Sequence, residues 1–213
     1  MSDWFRCTQW NEQGEAEFFR RLKRARRQSK PQYLVLQALT LVCTGRRELA
    51  AVALSLIELF TQDHHDPFFA SKAYGVKARA LVMLEQWEDA LDAFEDALRA
   101  RRAMPNVVDD TWLDYPLTIA LRRTRERYQR ALDVLNEFLT PTALVFPLHE
   151  FRYFATLALI SADEGDREGA ARWAKNALAA AVKQAPFARH PDVGIVGFGH
   201  ADLQIKLEEL AGE

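Results

Sequence analysis

Two short polar stretches contain residue types that could do chemistry. The first, "DHHD" at residues 63–66, combines two imidazoles with two carboxylates, the side chains that bind zinc or activate water for hydrolysis. Adjacent histidines in a loop seldom converge on one ion, and the sequence places no third and fourth ligand beside them. We therefore interpret His64 and His65 as loop residues. A small-molecule or metal-dependent activity is kept as an alternative.

The second stretch, "HPDVGIVGFGHAD" at residues 190–202, has three glycines before a predicted helix, as a phosphate-binding loop would. Their order differs from the dinucleotide-binding fingerprint, no Lys-Ser/Thr pair follows, and no strand–helix alternation surrounds them. The favoured interpretation is an extended apolar segment, residues 193–198. It either lies over the preceding helices or folds back into a binding surface. The sequence predicts no cofactor and no bound metal.

A basic stretch, "RRLKRARRQSK" at residues 20–30, holds seven positive side chains that could neutralise phosphates. The alternative is a solvated helix at one end of the fold, whose C-terminal cations suit the helix dipole. No aromatic residue follows Phe19 in the stretch, and the whole chain has a net charge of −2. Nucleic-acid association through residues 20–30 is therefore an alternative function and not the principal one.

Composition indicates a soluble globular protein, because 49% of the 213 residues are hydrophobic and 27% are charged. No segment approaches the roughly 18 apolar residues of a membrane span, and the first residues do not resemble a secretion signal. We expect a cytoplasmic protein without a membrane partner. Cys7 and Cys43 are the only cysteines and should be free thiols. No nucleophile motif is present, so the sequence predicts no enzyme.

The elements that position these residues are indicated by "EQWEDALDAFEDAL", residues 85–98. Trp87, Ala90, Phe94 and Ala97 recur at intervals of three and four, which places them on one face of a helix. An upstream helix in "SKAYGVKARALVML" has its own apolar stripe, and the polar pair "EQ" separates the two. The stretch is therefore the second half of a helix hairpin.

The hairpin pattern recurs along the chain. The second-helix anchors Ala50, Ala90, Ala131 and Ala170 follow one another at steps of 40, 41 and 39 residues. A small residue is needed where two helices cross closely, since only alanine or glycine lets the backbones approach. The constant pitch predicts four stacked hairpins, together with a leading helix at 12–28 and a trailing helix at 201–211.

The segments "WEDALDAFEDAL" and "YQRALDVLNEFL" resemble the tetratricopeptide repeat, in which an aromatic-x-x-Ala sequence opens the second helix of each hairpin. The resemblance implies an all-α fold, a right-handed α-α superhelix of about four hairpins with capping helices. Its predicted organisation is an N-terminal basic cap at 1–30, repeats within 31–180, and a Gly/Pro-containing loop with a capping helix at 183–213. The repeats are predicted at 31–66, 71–104, 112–145 and 151–182.

The same resemblance implies a non-enzymatic scaffold that binds a protein or peptide partner, with self-association also open. By analogy with the family, the first helix of each hairpin lines a concave groove. Basic groups in such a groove would grip carboxylates while an apolar floor takes apolar side chains, which favours an acidic peptide. The predicted groove residues are Lys72, Arg79, Arg123, Arg152, Val35, Leu39, Val82 and Leu159.

Overall fold

The structure, a computed structural model, describes residues 3–140, 143–187 and 189–212; for Phe198 it describes the backbone alone. Within these ranges the regular structure is entirely helical, with ten α-helices and three short 3₁₀ turns. The prediction of an all-α protein with ten helices is thus confirmed for the described residues. Residues 141 and 142, inside the predicted third repeat, lie outside them, as does the side chain of Phe198 in the predicted apolar segment.

The helices follow the predicted order and differ from the predicted limits by a few residues. They are α1 (Glu12–Arg24), α2 (Lys30–Cys43), α3 (Arg47–Asp63), α4 (Pro67–Met83), α5 (Trp87–Ala103), α6 (Thr111–Arg122), α7 (Tyr128–Phe138), α8 (Pro147–Glu164), α9 (Arg167–Ala181) and α10 (Ala201–Ala211). The leading helix ends at Arg24, four residues before its predicted limit. Pro31 lies in the first turn of α2, where its missing N–H is tolerated, so a new helix begins there.

Capping residues fix several of these ends. The Asp66 side chain accepts a hydrogen bond from the Phe68 N–H at 2.9 Å, and Pro67 is the first residue of α4. Gly165 ends α8 in the left-handed region with φ = 88°, which glycine adopts without steric cost. Asp166 then caps α9 through the Gly169 N–H at 2.9 Å. Such local chemistry explains why the turns between paired helices are short.

The four anchor alanines behave as the repeat pattern predicts. Ala50, Ala90 and Ala131 have no exposed surface, and Ala170 is 2% exposed. Helices α2 and α3, α4 and α5, and α8 and α9 pack against each other as neighbouring pairs. Small side chains at these positions therefore lie in the packed interior, where a larger residue would push the helices apart.

The chain divides into two compact units, Met1–Thr111 and Trp112–Glu213. In the first unit α2 packs against both α3 and α4, α3 packs against α4, and Phe18 and Leu22 of α1 join the same core. In the second unit α8 packs against α9 and α10, and α9 packs against α10. Leu203 and Leu207 of α10 are buried in that core, as predicted for the trailing helix.

None of the helices in the described part of the chain has both the length and the apolar character required to cross a membrane.

Candidate functional site

The eight predicted groove residues are shared between the two units. Val35, Leu39, Lys72, Arg79 and Val82 belong to the first unit, and Arg123, Arg152 and Leu159 belong to the second.

In the first unit, Arg79 links the first helices of two successive hairpins. A terminal nitrogen of its guanidinium lies 3.7 Å from the Cys43 Sγ at the end of α2. Lys72 precedes Arg79 by seven residues, so both lie on one face of α4. Leu39 of α2 and Val82 of α4 are half-buried. Helices α2 and α4 therefore form a two-helix surface that is partly apolar and carries two cations.

Val35 does not belong to this surface, which corrects the prediction. It has no exposed area and lies in the core with Leu34 and Ala38. Leu36 is half-buried and lies one helical turn before Leu39, on the same face. The error arose because α2 is apolar on nearly every side, so its hydrophobic periodicity does not show which face points outward.

Arg152 in the second unit is part of a largely buried ion pair. Its guanidinium lies 3.1 Å from Asp114 Oδ1, and the two side chains are 12% and 15% exposed. The pair joins α6 to α8 inside the unit. Leu159, farther along α8, is half-buried and packs against the core of the same unit. An arginine held in this way contributes to the fold and has little surface to offer a ligand.

Arg123 lies in the turn after α6, with a φ of 57°, and it shares a carboxylate with Arg125. The Nε atoms of Arg123 and Arg125 are 3.1 and 2.5 Å from the two oxygens of Asp163. Tyr128 donates a hydrogen bond to Asp163 at 3.0 Å. For these two arginines the partner in the structure is Asp163 of α8.

The Asp163 cluster is electrostatically asymmetric. The Asp163 side chain is 6% exposed, whereas those of Arg123 and Arg125 are 73% and 69% exposed. Hydrogen bonds from Arg125 and Tyr128 and the two positive charges lower the pKa of Asp163. Burial, followed by the hydrogen bond to Asp163, raises the pKa of Tyr128 to about 12. Two exposed cations on one carboxylate leave a net positive charge at this turn.

The basic stretch 20–30 is partly neutralised at its start. Arg20 and Arg21 bind Glu17 at 2.7 and 2.5 Å, and their hydrogen bonds lower the pKa of that carboxylate. Farther along, the positive charge reaches the turn between α3 and α4. Burial lowers the pKa of His64, and the charges of Lys30 and Arg27 lower it further. The positive region therefore extends beyond α1.

The histidines of "DHHD" do not form a metal centre with their neighbours. His64 caps the end of α3, and the ring of His65 packs 5.7 Å from that of Phe60. Among the described residues, no three His, Cys, Asp or Glu side chains are grouped in a way that could hold a metal ion. The interpretation of both histidines as loop residues fits this arrangement.

The glycine-rich segment lies over the start of the fourth hairpin. The Gly194 carbonyl accepts a hydrogen bond from the Leu148 N–H at 2.8 Å, in the first turn of α8. Gly194 has a φ of 75°, and a Cβ on it would come within 2.1 Å of the Phe146 ring. Only glycine therefore fits this position. The structure thus places Gly194 at the start of α8, and Val196 of the same segment packs against the core of the second unit.

Two clefts were not anticipated from the sequence. One, of about 380 Å³, lies in the first unit between Pro67, Ala70 and Tyr74 of α4 and the C-terminal half of α5. The other, of about 540 Å³, lies in the second unit between the end of α9 and the segment that contains Phe187 and Val196. Spacing in α4 marks Ala70 and Tyr74 as one face, but the cleft itself depends on how the loops fold.

Searches of family models, of curated proteins and of solved structures each found no match to this chain.

Proposed function

We propose that this chain is a non-enzymatic protein-interaction scaffold, acting in the cytoplasm, whose surface on α2 and α4 binds an acidic segment of a partner protein. The observation that carries the proposal is the contact between Arg79 and Cys43 across these two helices. It makes the first helices of successive hairpins one continuous surface.

The packing pattern supports a stacked array. Within the first unit α2 contacts α3 and α4, and within the second unit α8 contacts α9 and α10, so the first helix of each of these two hairpins touches the next two helices along the chain. Repeated helix hairpins that bury a shared core produce this pattern. The tetratricopeptide-like right-handed superhelix is part of the proposal and extends the pattern to the whole chain.

The chemistry of the α2–α4 surface indicates the class of partner. Lys72 and Arg79 provide positive charge, while Leu36, Leu39 and Val82 are half-buried apolar groups beside them. A guanidinium forms strong hydrogen bonds to carboxylates, and partly exposed apolar groups gain free energy when a partner covers them. An amphipathic segment with acidic and apolar side chains satisfies both.

The test compares two charge reversals on one helix. Arg79→Glu changes the proposed surface, whereas Lys77→Glu makes the same charge change at an exposed position on the other side of α4. Immobilised full-length variants are used to capture proteins from a matched lysate, with quantitative mass spectrometry as the readout. At least one protein retained by the wild type and by Lys77→Glu should fall tenfold or more with Arg79→Glu. Identical capture by all three proteins would reject the surface.

A second candidate function, nucleic-acid association, is favoured by one observation. The positive charges of Arg27 and Lys30 act on His64, so the basic region continues past α1 to the start of α2 and lies near the turn between α3 and α4, which is flanked by Asp63 and Asp66. A polyanion would find a broader positive surface than the 20–30 stretch alone.

Titration with short DNA and RNA at about 50 and about 200 mM salt tests this candidate, because phosphate contacts release counterions and must weaken steeply with salt. Arg26→Glu/Arg27→Glu should abolish binding. Lys175→Glu/Lys206→Glu, with the same change of charge at exposed positions in the second unit, should preserve it. Absence of binding by the wild type at the lower salt concentration removes the candidate.

A further inference from the structure

The N-terminal segment, residues 3–10, precedes α1 and is docked on α1 and α2 through aromatic contacts. The Trp4 ring lies 4.8 Å from Tyr33 and 5.5 Å from Phe18, measured between ring centroids. Phe5 stacks on Tyr33 at 4.8 Å, and Trp10 lies 5.3 Å from Phe18. An aromatic cluster thus holds this non-helical segment against two helices.

Gln37 of α2 binds the backbone of the N-terminal segment at two points. The Cys7 N–H donates to Gln37 Oε1 at 2.9 Å, and Gln37 Nε2 donates to the Cys7 carbonyl at 2.7 Å. The Arg46 guanidinium also donates to the Thr8 carbonyl. In all three hydrogen bonds the segment contributes only main-chain groups. The bonds could therefore form with any side chain at positions 7 and 8.

Burial is unequal between the segment and the cleft that holds it. With the segment in place, Gln37 has no exposed surface and Phe18 is 1% exposed, so residues 3–10 cover part of both side chains. Every residue of the segment keeps some exposure, and Asp3, Arg6, Thr8 and Gln9 are exposed. The side chains beneath the segment are therefore buried more completely than the segment, which lies on them with shallow burial.

We infer that this cleft, formed by Phe18, Tyr33, Gln37 and Arg46, is a binding site for a peptide segment of a partner protein, and that residues 3–10 occupy it as a displaceable internal competitor. The segment itself defines the ligand chemistry. It has two adjacent aromatic side chains, followed two residues later by a main-chain N–H and C=O that pair with Gln37. The site shares no residue with the α2–α4 surface and does not depend on it.

A partner peptide is a better occupant than the segment of a second copy. Exchange of identical segments between two copies replaces each contact with the same contact, and it costs the entropy of association. A partner peptide with the same aromatic pair can add contacts beyond those of residues 3–10. Displacement is also feasible because a buried amide such as that of Gln37 must be satisfied, and an incoming main chain satisfies it equally well.

The experiment uses the full chain and a fluorescein-labelled synthetic peptide with the sequence of residues 3–11, in which serine replaces the cysteine. Anisotropy measures its binding to the wild type and to Trp4→Ala/Phe5→Ala, whose own segment is weakened. We expect at least tenfold tighter binding to the double variant, because a tethered competitor acts at an effective millimolar concentration. Adding Gln37→Leu should reduce that binding at least tenfold, whereas Gln32→Leu, at an exposed position of α2, should not.

Four results would overturn the inference. One is absence of peptide binding by the folded double variant, and another is equal binding with and without Gln37→Leu. The third needs no variant: hydrogen exchange of the Cys7 amide in the wild type should be at least a hundredfold faster than that of core amides in α4, and equal rates would make the segment a fixed part of the fold. A wild-type dimer abolished by Trp4→Ala/Phe5→Ala would assign the cleft to a second copy and reject a foreign peptide.

Discussion

Arginines that the sequence assigns to the same groove have different environments in the two units. In the first unit the guanidinium of Arg79 lies 3.7 Å from the sulfur of Cys43 on the neighbouring helix. In the second unit Arg152 is held in a buried pair with Asp114, and Arg123 shares the nearly buried Asp163 with Arg125. Helix phase gives the direction of a side chain, but the residue it meets decides whether the charge stabilises the fold or is offered to a partner.

The largest expected effect is at the buried pair. Arg152→Ala leaves the Asp114 carboxylate at 15% exposure without its guanidinium, which should lower the free energy of unfolding by about 3–5 kcal/mol. Chemical denaturation measures this loss. Arg152→Ala/Asp114→Ala is the control, because it removes both charges and should recover part of the stability. A loss below about 1 kcal/mol in the single variant would contradict a structural role for Arg152.

The sequence predicts features that depend on local spacing better than features that depend on which distant residue a side chain meets. The alanine pitch predicted the hairpins because close helix crossing imposes a steric requirement that can be read from residue size. Val35 was misplaced because α2 is apolar on most sides. The partner of Arg123 and the role of Gln37 depend on residues 40 and 30 positions away in the chain. Local periodicity contains no information on such contacts, so the environments of the candidate site residues were predicted less completely than the helices.

The contribution of Asp163 to stability should depend on pH in the acid range. Its pKa is lowered from 3.8 in the folded state, so it contributes stability above that pH, and the contribution is lost as the pH falls through the folded pKa. Asp163→Asn should therefore be less stable than the wild type at pH 7, and the difference should shrink below about pH 4. Denaturant midpoints of both proteins between pH 7 and pH 2 measure this. A difference that is constant over the whole range would exclude the ion pairs as its cause.

The titration of Tyr128 at alkaline pH is a second test of the contacts around Asp163. Because its pKa is raised to about 12, the unfolded chain loses the phenolic proton first, and the associated stability is lost between pH 10 and pH 12. Tyr128→Phe should cost about 1.5 kcal/mol at pH 7 through the lost charge-assisted hydrogen bond. The difference in tyrosinate absorbance between the wild type and Tyr128→Phe should show one group that titrates near pH 12. Titration near 10 would contradict the burial of the phenol together with its hydrogen bond to Asp163.

Substitutions of Arg79 and Arg123 should change stability least. These two arginines, one in each unit, are compared by their effect on partner binding. Each single substitution to alanine should cost less than about 1 kcal/mol, because the Arg79 side chain is partly exposed and that of Arg123 is 73% exposed. Partner capture should nevertheless differ. Arg79→Ala should weaken capture of any protein that is also lost with Arg79→Glu. Arg123→Ala should leave capture of that protein unchanged, since the Arg123 guanidinium is already bound to Asp163. Equal losses with both variants would mean that the acidic partner contacts both arginines, and the restriction of the surface to α2 and α4 would then be wrong.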